Sequence, residues 1–444
     1  MRSADEVLLR TGTLPCAEGL KSLNIPFDTL DFLYEKCRNF DTFAKSAVSE
    51  VKRRAKDKRI CYCTDGSVLE DRAACALSRL KGTVVIDGAS KASVAARRAG
   101  LDGSFNAVSA YDLAERKLAL PLVVYDIDSR ETAGDVKLIL AERFGDEAPA
   151  VRICGKRAER IPLYEADRGE IDALVLFDTP LLEKKRFDLD DFLAILRLLR
   201  APDGCPWDRE QTHGSIRINA IEEAYELVDA IDAGDVEKMR EEAGDVLMQA
   251  AFHTVMEEEK QNFTMTDVLS EVCLKLISRH THVFGKDRAE GADGALSVWD
   301  QNKMKEKHQA TYSDAINDVP QCFPALLRAQ KIAKRMEKGG WDKPSIERFK
   351  VEFTEEYNEL MKAYASGDAS AIHEELGDVL MCVVSLGRAV GGECEQALLD
   401  AVKKVASRYN AYEALVLADG KDVHALTHEE KMSYYKRAKD AARA

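Results

Sequence analysis

The chain of 444 residues is too long for one ordinary core, and its 45% hydrophobic residues are enough to build two to four domains. A formal charge of −14 opposes attraction to a nucleic-acid polymer, so a phosphate-bearing partner calls for a bridging metal. No apolar run approaches the roughly 18 residues of a membrane span, MRSADEVLLRTG lacks a signal-peptide apolar region, and the eleven cysteines show no CxxC, which together predict a cytoplasmic, reduced chain without a membrane partner.

Residues 1 to about 184 alternate β-rich runs with helical stretches such as LEDRAACALSRLK. The runs are RICYC (59–63), TVVID (83–87), LPLVVYDI (120–127), VRIC (151–154) and ALVLF (173–177). This alternation predicts an α/β domain with a mainly parallel sheet. From DLDDFLAILRLLR (188–200) onward the apolar period is 3.6 and β-branched runs vanish, so the remainder reads as all-α. A polar stretch at 286–320, holding SVWDQNKMKEKH, reads as a linker with a short helix, and 410–444 as a charged helical tail. The resulting division is 1–184, 185–305 and 306–444.

The helical part is duplicated. NAIEEAYELVDAIDAGDVEKMREEAGDVLMQ carries Glu222, Glu223, Glu226, Glu242 and Asp245, and Glu355, Glu356, Glu359, Glu375 and Asp378 repeat the order at an offset of 133. Trp207-Asp208 answers to Trp341-Asp342 at 134, and Lys275 and Arg279 answer to Lys404 and Arg408 at 129. Residues three or four apart share a helix face, so the acids of each helix are neighbours. The loop IDAGD, with Gly234 as a helix stop and Asp235 as the next N-cap, folds the two helices back antiparallel and brings their acids together.

Carboxylates gathered in this way repel one another. Either they titrate with raised pKa values or a divalent cation sits among them, and an all-oxygen donor set suits Mg2+ or Mn2+. A solvated acidic face would explain one EExxE; its repetition with an ExxD on a second helix argues against that. Lys275 and Arg279, at i and i+4, point one way and suit phosphate oxygens beside such a cluster. His280 and His282 read as groups at a helix end, and no GK dipeptide has the glycine spacing of a P-loop.

APDGCPWDREQTH, AIEEAYELVDAI, REEAGDVLMQAAFHTVM and KLISRHTHVFG resemble the first repeat of MazG-type nucleoside triphosphate pyrophosphohydrolases. FPALLRAQKIAKRMEKGGWD, TEEYNELMKA and EELGDVLMCVVSLGR resemble their second, and together the likeness covers about 190 to 412. It implies an all-α, dimeric, Mg2+-dependent enzyme that cleaves NTPs to NMP and pyrophosphate. It also implies metal ligation by Glu223, Glu226, Glu242 and Asp245 in one site and by Glu356, Glu359, Glu375 and Asp378 in the other. Glu222 and Glu355 would orient water, and the basic pairs Lys275/Arg279 and Lys404/Arg408 would hold the phosphate tail. Trp207, Asp208, Trp341 and Asp342, with Lys331, Lys334 and Arg335 in the second repeat, would contact the nucleotide. The chain departs from the family pattern near Leu274 and Val402, apolar where an Asn or Asp is expected, and at Lys343, which replaces an aromatic.

LLRTGTLPCAEGLKSLNIPFDTLDFLYEK, CTDGSVLEDRAACAL and RIPLYEADR resemble a truncated tetrapyrrole-methylase-like domain whose first strand and Gly-rich turn precede these residues. A nucleotide sensor without turnover, or a methyltransferase with a helical accessory region, are the competing readings. With no Gly-rich turn in residues 1–30, calorimetry is expected to show no S-adenosylmethionine binding at micromolar concentration. A saturating isotherm would establish the opposite.

Overall fold

A computed structural model describes residues 3–37, 40–306 and 311–441. The chain divides into two compact units, Met1–Thr264 and Met265–Ala444.

The first unit opens with a three-stranded parallel sheet of order β2-β1-β3, made of β1 (Glu6–Leu9), β2 (Asp28–Thr29) and β3 (Ile60–Cys63). Helices α1 (Cys16–Ser22), α2 (Asp31–Tyr34), α3 (Phe40–Arg54) and α4 (Arg72–Ser78) accompany it. Alternate residues of β1 serve opposite cores: Leu8 packs with Phe43, Ala47 and Leu77, while Val7 and Leu9 pack with Leu14, Ala17 and Leu20. Helix α5 (Lys91–Ala99) then leads into a five-stranded sheet of order β4-β5-β8-β6-β7. Its strands are β4 (Asn106–Ser109), β5 (Leu122–Tyr125), β6 (Pro149–Cys154), β7 (Arg157–Pro162) and β8 (Ala173–Leu176). The small side chains of α5, Ala92, Ala95 and Ala96, let it lie close against Val123, Val151 and Val175. Helix α6 (Arg130–Phe144) sets Ala133, Val136 and Leu140 into the other core, with Leu122, Val124 and Leu174.

This larger sheet corrects the expectation of mainly parallel pairing. Only β4–β5 is parallel; β5–β8, β6–β8 and β6–β7 are antiparallel. Doubly buried strands are apolar throughout, so their pattern carries no direction. TVVID forms no strand: Val84 and Ile86 are 85% and 92% exposed. Its anchor is polar instead, since Asp87 accepts hydrogen bonds from the Val68 amide at 2.7 Å and Ser67 Oγ at 3.2 Å. The other four runs coincide with β3, β5, β6 and β8, of which β6 begins two residues before its run.

The first unit continues through α7 (Leu189–Arg200), α8 (Pro206–Glu210), α9 (His213–Ile216), α10 (Asn219–Ala233) and α11 (Val236–Glu259). An Asp188/Asp191 capping box starts α7. Arg197 and Arg200 then make two-pronged ion pairs with Glu258 and Glu259, at 2.6 to 2.9 Å, which dock α7 on the end of α11. Gly234, at φ 66°, ends α10, and Asp235 caps α11 by accepting from the Lys238 amide.

The second unit begins with α12 (Met265–Arg279), α13 (Thr281–Phe284), α14 (Gly291–Glu306), α15 (Tyr312–Asn317) and α16 (Ala325–Lys338). The short helix expected around SVWDQNKMKEKH is the end of α14, a helix of 16 residues; the last positions of that motif lie outside the described residues. The hairpin of α17 (Ile346–Ser366) and α18 (Ala369–Ala389) repeats the α10–α11 turn, with Gly367 at φ 72° and Asp368 capping α18. Helix α19 (Cys394–Ala418) folds back on α20 (His428–Ala441) over Tyr412, Val416, Tyr434 and Ala438.

Candidate metal and nucleotide site

Each hairpin gathers three carboxylates from its two helices. In the first, carboxylate oxygens of Glu223, Glu242 and Asp245 all lie within 4.8 Å of one another, with Glu242 only 4% exposed. In the second, Glu356, Glu375 and Asp378 form the same trio within the same 4.8 Å. Glu226 and Glu359, expected as fourth ligands, stand exposed outside the trios. They still act on the clusters electrostatically, and Glu222 and Glu355 are exposed on the same helices.

Burial and crowding push the trio glutamates of both clusters toward protonation. Desolvation raises Glu223 and Glu242 above the ordinary glutamate range, followed by repulsion from Asp245 at Glu223 and from Glu226 at Glu242. Lys238, 3.8 Å from Glu242, works the other way. Desolvation likewise raises Glu356 and Glu375, helped by Asp378 and Glu359. One oxygen of Glu375, Oε2, is buried and has no hydrogen-bond partner. A buried orphan acceptor beside two further carboxylates fits a hard divalent cation, whose oxygen ligands come from such sets.

The other expected contacts are more dispersed. Trp207 and Trp341 are 65% and 61% exposed, open for stacking. The Asp208 carbonyl accepts from Arg200, and the Asp342 carboxylate pairs with Arg348 at 3.0 Å. On α16, Lys334 is exposed, Lys331 lies 6.0 Å from the Phe323 ring, and Arg335 is committed to the Ala315 carbonyl. Lys404 is exposed and Arg408 half-buried on α19. Lys275 is half-buried on α12, whereas Arg279 is buried in a two-pronged pair with Glu306, at 2.8 and 2.9 Å, with its guanidinium 5.2 Å from the Trp299 ring. His280 behaves as a helix-end group, its Nδ1 bonded to the Leu276 carbonyl at 2.7 Å.

A family description, the MazG nucleotide pyrophosphohydrolase domain, matches residues 211–284 and 345–412, one segment around each trio. A nucleoside triphosphate pyrophosphohydrolase of Escherichia coli K12 is 38% identical over 235 residues, covering 52% of this chain and 89% of that protein. The chain belongs to the MazG family. A MazG nucleoside triphosphate pyrophosphohydrolase/pyrophosphatase from Thermotoga maritima is 36% identical over 250 residues, 56% of this chain and 95% of its own. YabN of Bacillus subtilis is 30% identical over 472 residues, covering 100% of this chain and 94% of that protein, so its likeness includes the N-terminal α/β part. Both MazG segments begin ahead of the first acids of a hairpin and run past its second helix.

Residues outside the expected set also build this region. His213 on α9 forms a bonded row with His253 and Glu257 on α11. Only the i, i+4 spacing of His253 and Glu257 was visible in the chain; His213 is 40 residues from His253.

Proposed function

We propose that this MazG protein hydrolyses (d)NTPs to (d)NMPs and pyrophosphate with Mg2+, or Mn2+, held by the two carboxylate trios. The observation that carries the reading is the pair of trios, each built from three acids within 4.8 Å, one of which leaves a buried oxygen unpaired. A bound divalent cation there supplies neutralisation of phosphate charge and a lowered pKa for a coordinated water. The protein's part is positional. Glu223, Glu242 and Asp245, and Glu356, Glu375 and Asp378, hold the ion, with Glu226 and Glu359 at the rim to complete each set. Glu222 and Glu355, one residue before a ligand, orient the attacking water toward the α-phosphorus. The basic pairs Lys275/Arg279 and Lys404/Arg408 are the proposed holders of the phosphate tail. For Arg279 this requires exchanging Glu306 for a phosphate, a substitution of one anion for another on the same guanidinium.

No described helix is long and apolar enough to cross a membrane. A cytoplasmic homodimer acting on free nucleotides, with no nucleic-acid polymer and with a part in clearing nucleotide pools, completes the proposal. Exposed apolar residues on the hairpin helices, including Ile221, Tyr225 and Ile231 on α10, favour self-association.

A panel of ordinary and modified (d)NTPs, assayed with Mg2+ and without added pyrophosphatase, is expected to release pyrophosphate in step with the monophosphate. Orthophosphate as the sole phosphorus product would overturn the proposal, and binding without release would point to a sensor.

A further inference from the structure

The α8–α9 segment, which carries Trp207 and Asp208, meets α11 through a row of three side chains. His213 Nδ1 lies 2.7 Å from His253 Nδ1, the two ring planes are 10° apart with centroids 4.9 Å apart, and His213 Nε2 lies 2.5 Å from Glu257 Oε1. We propose that this His253–His213–Glu257 row is the positioning device of the first repeat, holding the Trp207–Asp208 segment against α11 through one hydrogen shared between two imidazoles. It rests on the reading of Trp207 and Asp208 as nucleotide contacts.

Proton counting follows from the partners. Glu257 accepts from Asn262 at 2.6 Å and from Lys260 and His213, and these bonds hold its pKa to about 2, so it is a carboxylate that only accepts. His213 Nε2 therefore carries a hydrogen. Between the two Nδ1 atoms there is room for one hydrogen, whichever ring supplies it. A second would set two N–H groups head to head at 2.7 Å and break the contact. Burial, then the neighbouring His213, lowers the pKa of His253, so folding favours its neutral form. For a lowered histidine the stabilisation is present above the ordinary value of about 6.5 and is lost as pH falls through the lowered one.

The other charged groups near the row come in pairs. Lys260 sits 2.7 Å from Glu257, Arg197 binds Glu258, and Arg200 binds Glu259. Arg200 is a second, non-titrating anchor: it donates to the Asp208 carbonyl at 2.5 Å and the Gln211 carbonyl at 3.3 Å, above the Phe252 ring. In acid His213 loses His253 and keeps only Glu257 on α11, so the segment is held less firmly at this end. The second repeat has no counterpart, since Leu386 and Val390 stand 133 residues beyond His253 and Glu257.

The test is amide hydrogen exchange of the full chain, read on peptides covering 206–216 at about pH 8 and about pH 5 after correction for intrinsic rates. The native chain is expected to lose protection there on the order of tenfold at the lower pH, while α10 and α11 keep theirs. His253→Asn, whose amide reaches the same partner and does not titrate, should keep the segment protected at both. His253→Leu should leave it less protected at both. Protection that ignores pH in the native chain, or a Leu variant that matches it, overturns the proposal. Calorimetry of a non-hydrolysable triphosphate with Mg2+, in a Glu375→Gln/Asp378→Asn background, separates the two readings. Exchange that follows the pattern with unchanged affinity upholds the row but removes Trp207 and Asp208 from the nucleotide site.

Discussion

Replacing Glu375 by Gln and Asp378 by Asn together is expected to lower kcat/KM by at least about a hundredfold, since losing two ligands of one trio exceeds the 10- to 100-fold typical of losing a mere supporting group. Glu242→Gln with Asp245→Asn is expected to cost less, with the residual activity spread over several bases. The asymmetry rests on surroundings, because both trios have the same composition and the same bound of 4.8 Å between their oxygens. Glu375 keeps an unpartnered buried oxygen, whereas Glu242 has Lys238 at 3.8 Å as a built-in counter-charge. Lys331 and Lys334 add positive charge ahead of the second hairpin, and Lys343 stands where the resemblance implies an aromatic, which would favour phosphate contacts over base stacking. Single changes, Glu223→Gln or Glu356→Gln, should each weaken divalent-cation binding. If Glu242→Gln with Asp245→Asn abolishes turnover and Glu375→Gln with Asp378→Asn leaves it intact, the CPWD repeat is the working site.

Divalent cations are expected to raise the melting temperature of the chelated protein at neutral pH by several degrees, and by far less near pH 5. The sign follows from the four glutamates. Glu223, Glu242, Glu356 and Glu375 all have raised pKa values in the fold, against an ordinary 4.5. Stability from their neutral forms is complete below that value and is lost as pH rises through the raised ones. Without metal the clusters thus weaken the fold most at neutral pH, where a cation has most to relieve; in acid, protons compete for the same oxygens. Scanning calorimetry with and without Mg2+, on the native chain and on a variant with both trios neutralised, checks this. Equal increments in the two proteins would show that the cation acts elsewhere.

The helical hairpins were legible because everything that makes them is local. Apolar period, a Gly-Asp turn and acids at i, i+3 and i+4 are each readable within a few residues, and the trios followed from folding one helix onto the next. Strand existence in the N-terminal part was legible where apolar runs were long, but β1, β2, β4 and β7 escaped, being short or, like β7 with its Arg157, Glu159 and Arg160, largely polar. Direction was not legible at all, since β5, β6 and β8 are apolar on both faces and pair antiparallel all the same. TVVID misled because β-branched residues mark a pleated surface only when a neighbouring strand accepts them, and Asp87 ties this stretch to a loop. Arg279 illustrates the limit for site residues: its face and charge were apparent, but not that Glu306 and Trp299 engage it.

Each trio is drawn from one short run of chain, Glu223 to Asp245 or Glu356 to Asp378, with nothing from outside its own hairpin. Loop closure over so few residues costs little entropy, so each hairpin is able to form while the rest of the polypeptide is still being synthesised. What resists that early closure is the acids themselves, which the turn drives together before any surrounding core has formed. A divalent cation captured at this stage would cancel the repulsion and staple the two helices, which would give such an ion a role in the birth of the fold as well as in the proposed chemistry. The same compactness makes the hairpin a transferable cassette: a single copying event carries a whole ion site with it, whereas features assembled from distant segments must be built anew in the second copy.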